Sequence, residues 1–138
     1  MADADLFISY LTGDALEPQF NKAVKMAESG EAELLVCSEV YDDVATALRS
    51  QGVGLEEVCR FISDMRAIPH SAVPMSVEIA REALEMYMEH GGPRKLHYFD
   101  SFHVATARHS NLPLLTCDQY IIQHALELGM KALDARTL

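Results

Sequence analysis

The sequence predicts an α/β fold, a short parallel sheet with helices on both faces. Two continuous apolar runs, "AELLVC" (32–37) and "LPLLTC" (112–117), are bounded by polar residues and show no polar alternation. Strands packed on both faces by helices read this way. Longer segments of helical periodicity separate the runs, and strands that alternate with helices pair in parallel through crossovers.

Taken in order, the chain opens on Met1 and Ala2, the scantest of strands, before Asp3. The apolar segment "LFISYL" follows as a helix, with Asp5 placed to cap it. A helix over 17–29 ends before Gly30, and the strand 32–37 leads to a helix over 39–51 with Ser38 as N-cap. Helices over 55–67 and 76–90 come next, the second capped by Ser76 and stopped by Gly91-Gly92. A helix over 98–110, the strand 112–117 and a helix over 119–128 closed by Gly129 complete the alternation. "MKALDA" (130–135) reads as an edge strand. There are no repeats or linker-like tracts, so one domain over 1–138 is expected.

Composition narrows the function. With 21 acids against 11 bases the net charge is −10, which argues against a broad positive face for phosphate backbones. A local basic patch beside an acidic site is still compatible with it. Three cysteines with no CxxC spacing read as reduced core thiols in a reducing compartment. No signal-peptide pattern opens the chain and no apolar run reaches membrane-spanning length, so a cytoplasmic location with no membrane partner is expected.

Sites in open parallel sheets lie beyond the carboxyl ends of strands, so the acids there carry the functional reading. Asp3 stands after the first strand; Asp5 serves equally as helix cap or ligand. "SEVYDDVATAL" carries Glu39, Asp42 and Asp43, with Val40, Val44, Ala47 and Leu48 as its apolar stripe. Asp43 flanks that stripe and Glu39 lies one turn before it, while Asp42 points to solvent. On local grounds alone, these acids stabilise the helix start. Asp100 borders the packed side formed by Phe99, Phe102 and Thr106, where an acid needs a hydrogen bond, a partner or a metal. Asp118 ends the strand "LLTC", either as a cap for the next helix or as a site residue, with the Thr116 hydroxyl aimed at the same place.

"HYFDSFH" also spaces His97, Asp100 and His103 three apart, the outline of a zinc or iron site. A run of i, i+3, i+6 drifts around the helix, and no HExxH accompanies it. His103 reads as a core-edge residue and His97 as surface or substrate-facing.

Together these segments resemble the PIN domain, the nuclease fold of VapC-type toxins and related archaeal and bacterial proteins. "ADADLFISYL" is similar to the family's opening, and "VCSEVYDDVATALRS" to its second motif, which puts that motif's acid on Asp43. "YFDSFHVATA" resembles the third, with Asp100, and "LLTCDQYI" the fourth, with Asp118. Two departures stand out: the second acid is usually glutamate, and the first strand is usually longer.

The resemblance implies a three-layer α/β/α fold and metal-dependent hydrolysis of RNA by Asp3, Asp43, Asp100 and Asp118. Asp3, Asp100 and Asp118 are its metal ligands, and Asp43 positions a water or a second metal. Glu39, Asp5 and Thr116 are accessory. Oxygen donors suit Mg²⁺ or Mn²⁺, which would also relieve repulsion among the acids. Arg94, Lys95 and His97 on the Gly-Pro loop offer phosphate contacts, balanced against a solvated loop. No aromatic ladder for stacking bases is evident. The resemblance further implies a homodimer and an antitoxin partner. One alternative is a weakly catalytic PIN-like module acting through RNA or a protein. Another is a phosphoacceptor receiver domain, but Ser38-Glu39 follows the strand where its aspartate belongs, and Lys131 begins a strand instead of ending one.

Overall fold

The computed structural model describes residues 1–138. Four strands of three residues form the sheet: β1 (Leu35–Cys37), β2 (Ser71–Val73), β3 (Leu114–Thr116) and β4 (Ala132–Asp134). β1 pairs in parallel with β2, Val36 opposite Ala72, and β3 in parallel with β4, Leu115 opposite Leu133. Ala2 joins the two pairs through parallel bridges to Val36 and Leu115. Its N–H donates to the Leu35 carbonyl at 2.9 Å, and the Leu115 N–H donates to the Met1 carbonyl at 2.7 Å. The order is therefore β2-β1-Ala2-β3-β4. The chain starts at the centre, builds one side, then returns to build the other, so the order reverses at Ala2.

Neighbouring residues on a strand face opposite ways, and the packing follows that rule. Val36 and Leu115 join a core with Leu6 and Phe7 of α1 (Ala4–Thr12), and Phe20 and Val24 of α2 (Glu17–Glu28). α3 (Val40–Ser50) and α4 (Leu55–Asp64), continued by a 3₁₀ turn over Met65–Ala67, close that layer. Cys37 and Leu114 point to the other side, against α5 (Val77–His90), α6 (Tyr98–His109) and α7 (Gln119–His124). The result is the expected three-layer α/β/α arrangement. Truncating the fully buried Phe20 to alanine would cost about 3–5 kcal/mol.

α6 is buried at every position from Ser101 to Ala107, because it is packed between α5 and the sheet. Its first turn, carrying Asp100, therefore emerges at the sheet's carboxyl edge.

Several boundaries differ from expectation. Asp3, not Asp5, caps α1: its Oδ1 accepts from the Asp5 N–H at 3.2 Å. Ser38 does not cap α3, whose N-cap is Glu39; its Oγ accepts from the Met75 N–H at 3.0 Å, tying the end of β1 to the exit of β2. Ser76 caps α5 as expected, accepting from the Ile79 N–H at 3.1 Å. α7 ends at His124, and turns carry the chain on to Gly129, whose φ of 71° needs glycine. β2 is an element the sequence did not announce.

Candidate metal and active site

The carboxyl ends of Ala2 and β3, one face of α3 and the start of α6 meet at one cleft of about 620 Å³. Asp3, Asp5, Asp43, Asp100 and Asp118 all line it, with His97, Tyr98 and Phe99 at the side. Five acids from four separate segments thus converge at the point where strand order reverses.

Asp3, Asp100 and Asp118 reach the cleft as helix-start residues held by local hydrogen bonds. Asp3 is 4% exposed at the N-cap of α1. Burial first, then the neighbouring Asp5 charge, push its pKa up to about 8, against the pull of the Thr116 hydroxyl and His103. Asp5, in the first turn, rises to about 6 through burial and the charges of Asp100, Asp43 and Asp118. Asp100 Oδ2 accepts from the His97 N–H at 3.2 Å and lies 3.0 Å from His97 Nδ1, closing a capping box at the start of α6. Burial raises its pKa, while His103 opposes the rise. Asp118 Oδ1 caps α7 by accepting from the Ile121 N–H at 2.8 Å, and the Asp118 N–H donates to the buried Thr116 Oγ1 at 3.0 Å. Capping takes one oxygen from Asp118 and leaves the other for the cleft.

His103 was not expected here. It is fully buried rather than at the core edge, and its Nε2 lies 2.8 Å from Asp43 Oδ2. Burial would lower its pKa, but the Asp43 hydrogen bond and charge outweigh that and hold it at about 10. Nδ1 makes no formed hydrogen bond; the Cys37 sulfur is near enough to favour the charged ring without meeting bond geometry. An imidazolium therefore sits beneath the acids. Sequence spacing shows the histidine but not its partner on α3.

The donor atoms of His97, Asp100 and Asp118 lie within 4.8 Å of one another. Asp3 lines the same cleft but falls outside that trio. The donor chemistry fits a divalent cation: mostly carboxylate oxygen, with acids whose raised pKa values record a shortage of positive charge. Glu39 caps α3 away from the cleft lining, and Arg94 and Lys95 are exposed on the loop beside it. That loop is ordered: the Leu96 N–H donates to the His90 carbonyl at 3.2 Å, the Lys95 N–H to the Gly92 carbonyl at 3.1 Å, and Leu96 is fully buried.

The family model for the PIN domain matches residues 1–133, nearly the whole chain. The chain belongs to the PIN domain family. No curated protein sequence matches it. PIN domains have a nuclease-type fold and generally act on nucleic acid with divalent metals. In this PIN domain, a candidate acidic metal cluster stands at the sheet's carboxyl edge. Membership excludes the receiver reading, and Lys131 accordingly borders a different cavity, beside Leu112 and Met130. No helix is long and apolar enough to cross a membrane.

Proposed function

We propose that this PIN domain is a metal-dependent endoribonuclease hydrolysing RNA phosphodiesters with Mg²⁺ or Mn²⁺. The observation that carries the reading is the convergence of five acids on one cleft, with Asp3 and Asp5 raised by burial and mutual repulsion. Asp100 and Asp118 would hold the cation, with Asp3 and His97 as flanking donors. Such an ion supplies charge that neutralises the phosphodiester and lowers the cost of forming hydroxide.

The chain's own residues do the rest. Asp5, with a pKa of about 6, is mostly ionised at neutral pH and suited to take a proton from the attacking water. Asp43, anchored by His103, orients that water from the α3 side. Arg94 and Lys95, exposed on the loop behind His97, contact the phosphates. Thr116 fixes the turn that presents Asp118.

The reading extends to the toxin of a type II toxin–antitoxin pair, cytoplasmic and homodimeric, with a basic antitoxin segment covering the acidic cleft. Protection of the cleft by such a partner in hydrogen exchange, together with a dimer mass in sedimentation, tests this extension. A weakly catalytic binding module is the second reading. It draws support from Asp43, whose Oδ2 is engaged by His103.

The deciding experiment is cleavage of a panel of structured and single-stranded RNAs with Mg²⁺ or Mn²⁺, comparing wild type with Asp100→Asn. Metal-dependent cutting that is lost in the variant supports the nuclease. Metal and RNA binding without cutting supports the binding module. Equal cutting by both proteins removes Asp100 from the site.

A further inference from the structure

The rim of the acidic cleft is aromatic. Tyr98 opens α6 and lines the cleft between His97 and Phe99. Its ring is braced by three others: Tyr87 of α5 at 5.6 Å between centroids and 88° between planes, Phe99 at 5.4 Å and Phe102 at 5.1 Å. The Tyr87 and Phe99 contacts are edge-to-face and the Phe102 contact is tilted, which together fix the ring's orientation. The Tyr87 brace is itself fitted, because a Cβ on Gly91 would stand 2.7 Å from two Tyr87 ring carbons. Only glycine lets the loop run so close to that ring.

With three aromatic neighbours a tyrosine would normally be enclosed. Tyr98 nevertheless stays 45% exposed, and Tyr87 37%. The exposed Arg94, Lys95 and His97 precede it on the same loop, and Asp100 follows it into the cleft. One short segment thus offers cations, an oriented open ring and a carboxylate in succession. Phosphate, base and metal-bound backbone are the parts of a nucleotide strand that these groups suit.

We infer that Tyr98, braced by Tyr87, is a stacking platform for an unpaired nucleobase of the strand that enters the acidic cleft. This rests on the nucleic-acid reading of the cleft and deepens it to one side chain that takes a base face left uncovered by pairing. Stacking tolerates any sequence because every base has a π-face. A protein is the rival occupant, as exposed Leu84 and Met88 continue along α5. Tyr98 lines the cleft between His97 and Phe99, whereas Leu84 and Met88 lie outside the cleft lining, which favours the base.

The chain contains no tryptophan, so Tyr98→Trp creates a single fluorescent reporter at the platform. It is titrated with single-stranded oligoadenylate in Ca²⁺, and with an abasic strand of equal length. Quenching by the first and not by the second is the expected result. Tyr98→Ala should weaken single-strand binding about five- to hundredfold, the range set by one stacked base. Tyr98→Phe should keep wild-type affinity, which separates stacking from a folding defect.

Absent quenching, equal quenching by the abasic strand, or unchanged affinity in Tyr98→Ala overturns the platform. A change in oligomeric state in Tyr98→Ala with RNA affinity intact assigns the ring to protein contact and overturns it too. Base-dependent quenching in a protein that cuts no RNA keeps the platform and removes the nuclease. Cleavage with unchanged KM in Tyr98→Ala keeps the nuclease and removes the platform.

Discussion

His103 Nε2 lies 2.8 Å from Asp43 Oδ2, joining residues sixty positions apart on α6 and α3. The histidine is wholly buried, and its bond to Asp43 holds its pKa up at about 10 under a cluster of acids. It also holds the acid that the family resemblance places at the second motif, where glutamate is usual. Aspartate reaches one methylene less far, and the His103 bond sets where it stops.

Removing one partner of a buried ion pair leaves the other uncompensated, at about 3–5 kcal/mol. His103→Ala should therefore lower stability by about that amount in urea unfolding, and His103→Gln by less, because the amide retains a donor. A double-mutant cycle with Asp43→Asn should give a clear coupling energy, since the atoms touch. Additive losses would mean that the two residues act independently.

Stability without metal should fall as pH rises. Asp3 and Asp5 have folded pKa values of about 8 and about 6, above the ordinary carboxylate value, so the folded state binds more protons than the unfolded one. Their penalty begins near the ordinary value of 3.8, grows as pH rises, and is complete above about 6 for Asp5 and about 8 for Asp3. His103, raised to about 10, contributes stability that is full below its ordinary value of 6.5 and lost as pH climbs through 10. All three act in one direction. Melting in EDTA should give a higher Tm at pH 5 than at pH 9, and Asp3→Asn should flatten the curve. A Tm that increases over this range would contradict the assignment of these acids to one crowded site.

What the sequence revealed and what it hid follow from the range of the interactions. Asp118 was legible because an apolar run ends beside it and a helix begins after it, both local signals. Asp100 was legible because an acid bordering an apolar helix face needs a reason. β2 was not, because "SAV" at the sheet's edge is largely exposed and carries no apolar run. Ser38 sits where a cap belongs, but its hydroxyl is taken by Met75 from another segment. The Asp43–His103 pair and the Tyr87–Tyr98 contact both join distant stretches of chain, and no spacing rule reports them.

Asp118 has two roles that substitution can separate. Its Oδ1 caps α7, and the residue also lines the cleft. Serine caps about as well as aspartate, whereas alanine loses about 1 kcal/mol. Asp118→Ser should keep the wild-type melting temperature in EDTA while weakening Mn²⁺ binding as strongly as Asp118→Ala. Unweakened binding in Asp118→Ser would confine this residue to capping.

Metal binding should release protons. At pH 7, Asp3 with a pKa of about 8 is mostly protonated and Asp5 with about 6 is partly so, and a cation entering the cleft competes with those protons. Mn²⁺ titration by calorimetry in two buffers of different ionisation enthalpy should reveal net release near neutral pH, fading above pH 9. Affinity should strengthen over the same interval, so added metal stabilises the fold most at the pH where the metal-free protein is weakest. Asp3→Asn should reduce the release without abolishing binding, whereas Asp100→Asn should abolish binding itself. Binding with no proton release at pH 7 would mean that the cation sits away from Asp3 and Asp5, and would move the site toward the mouth of the cleft at His97.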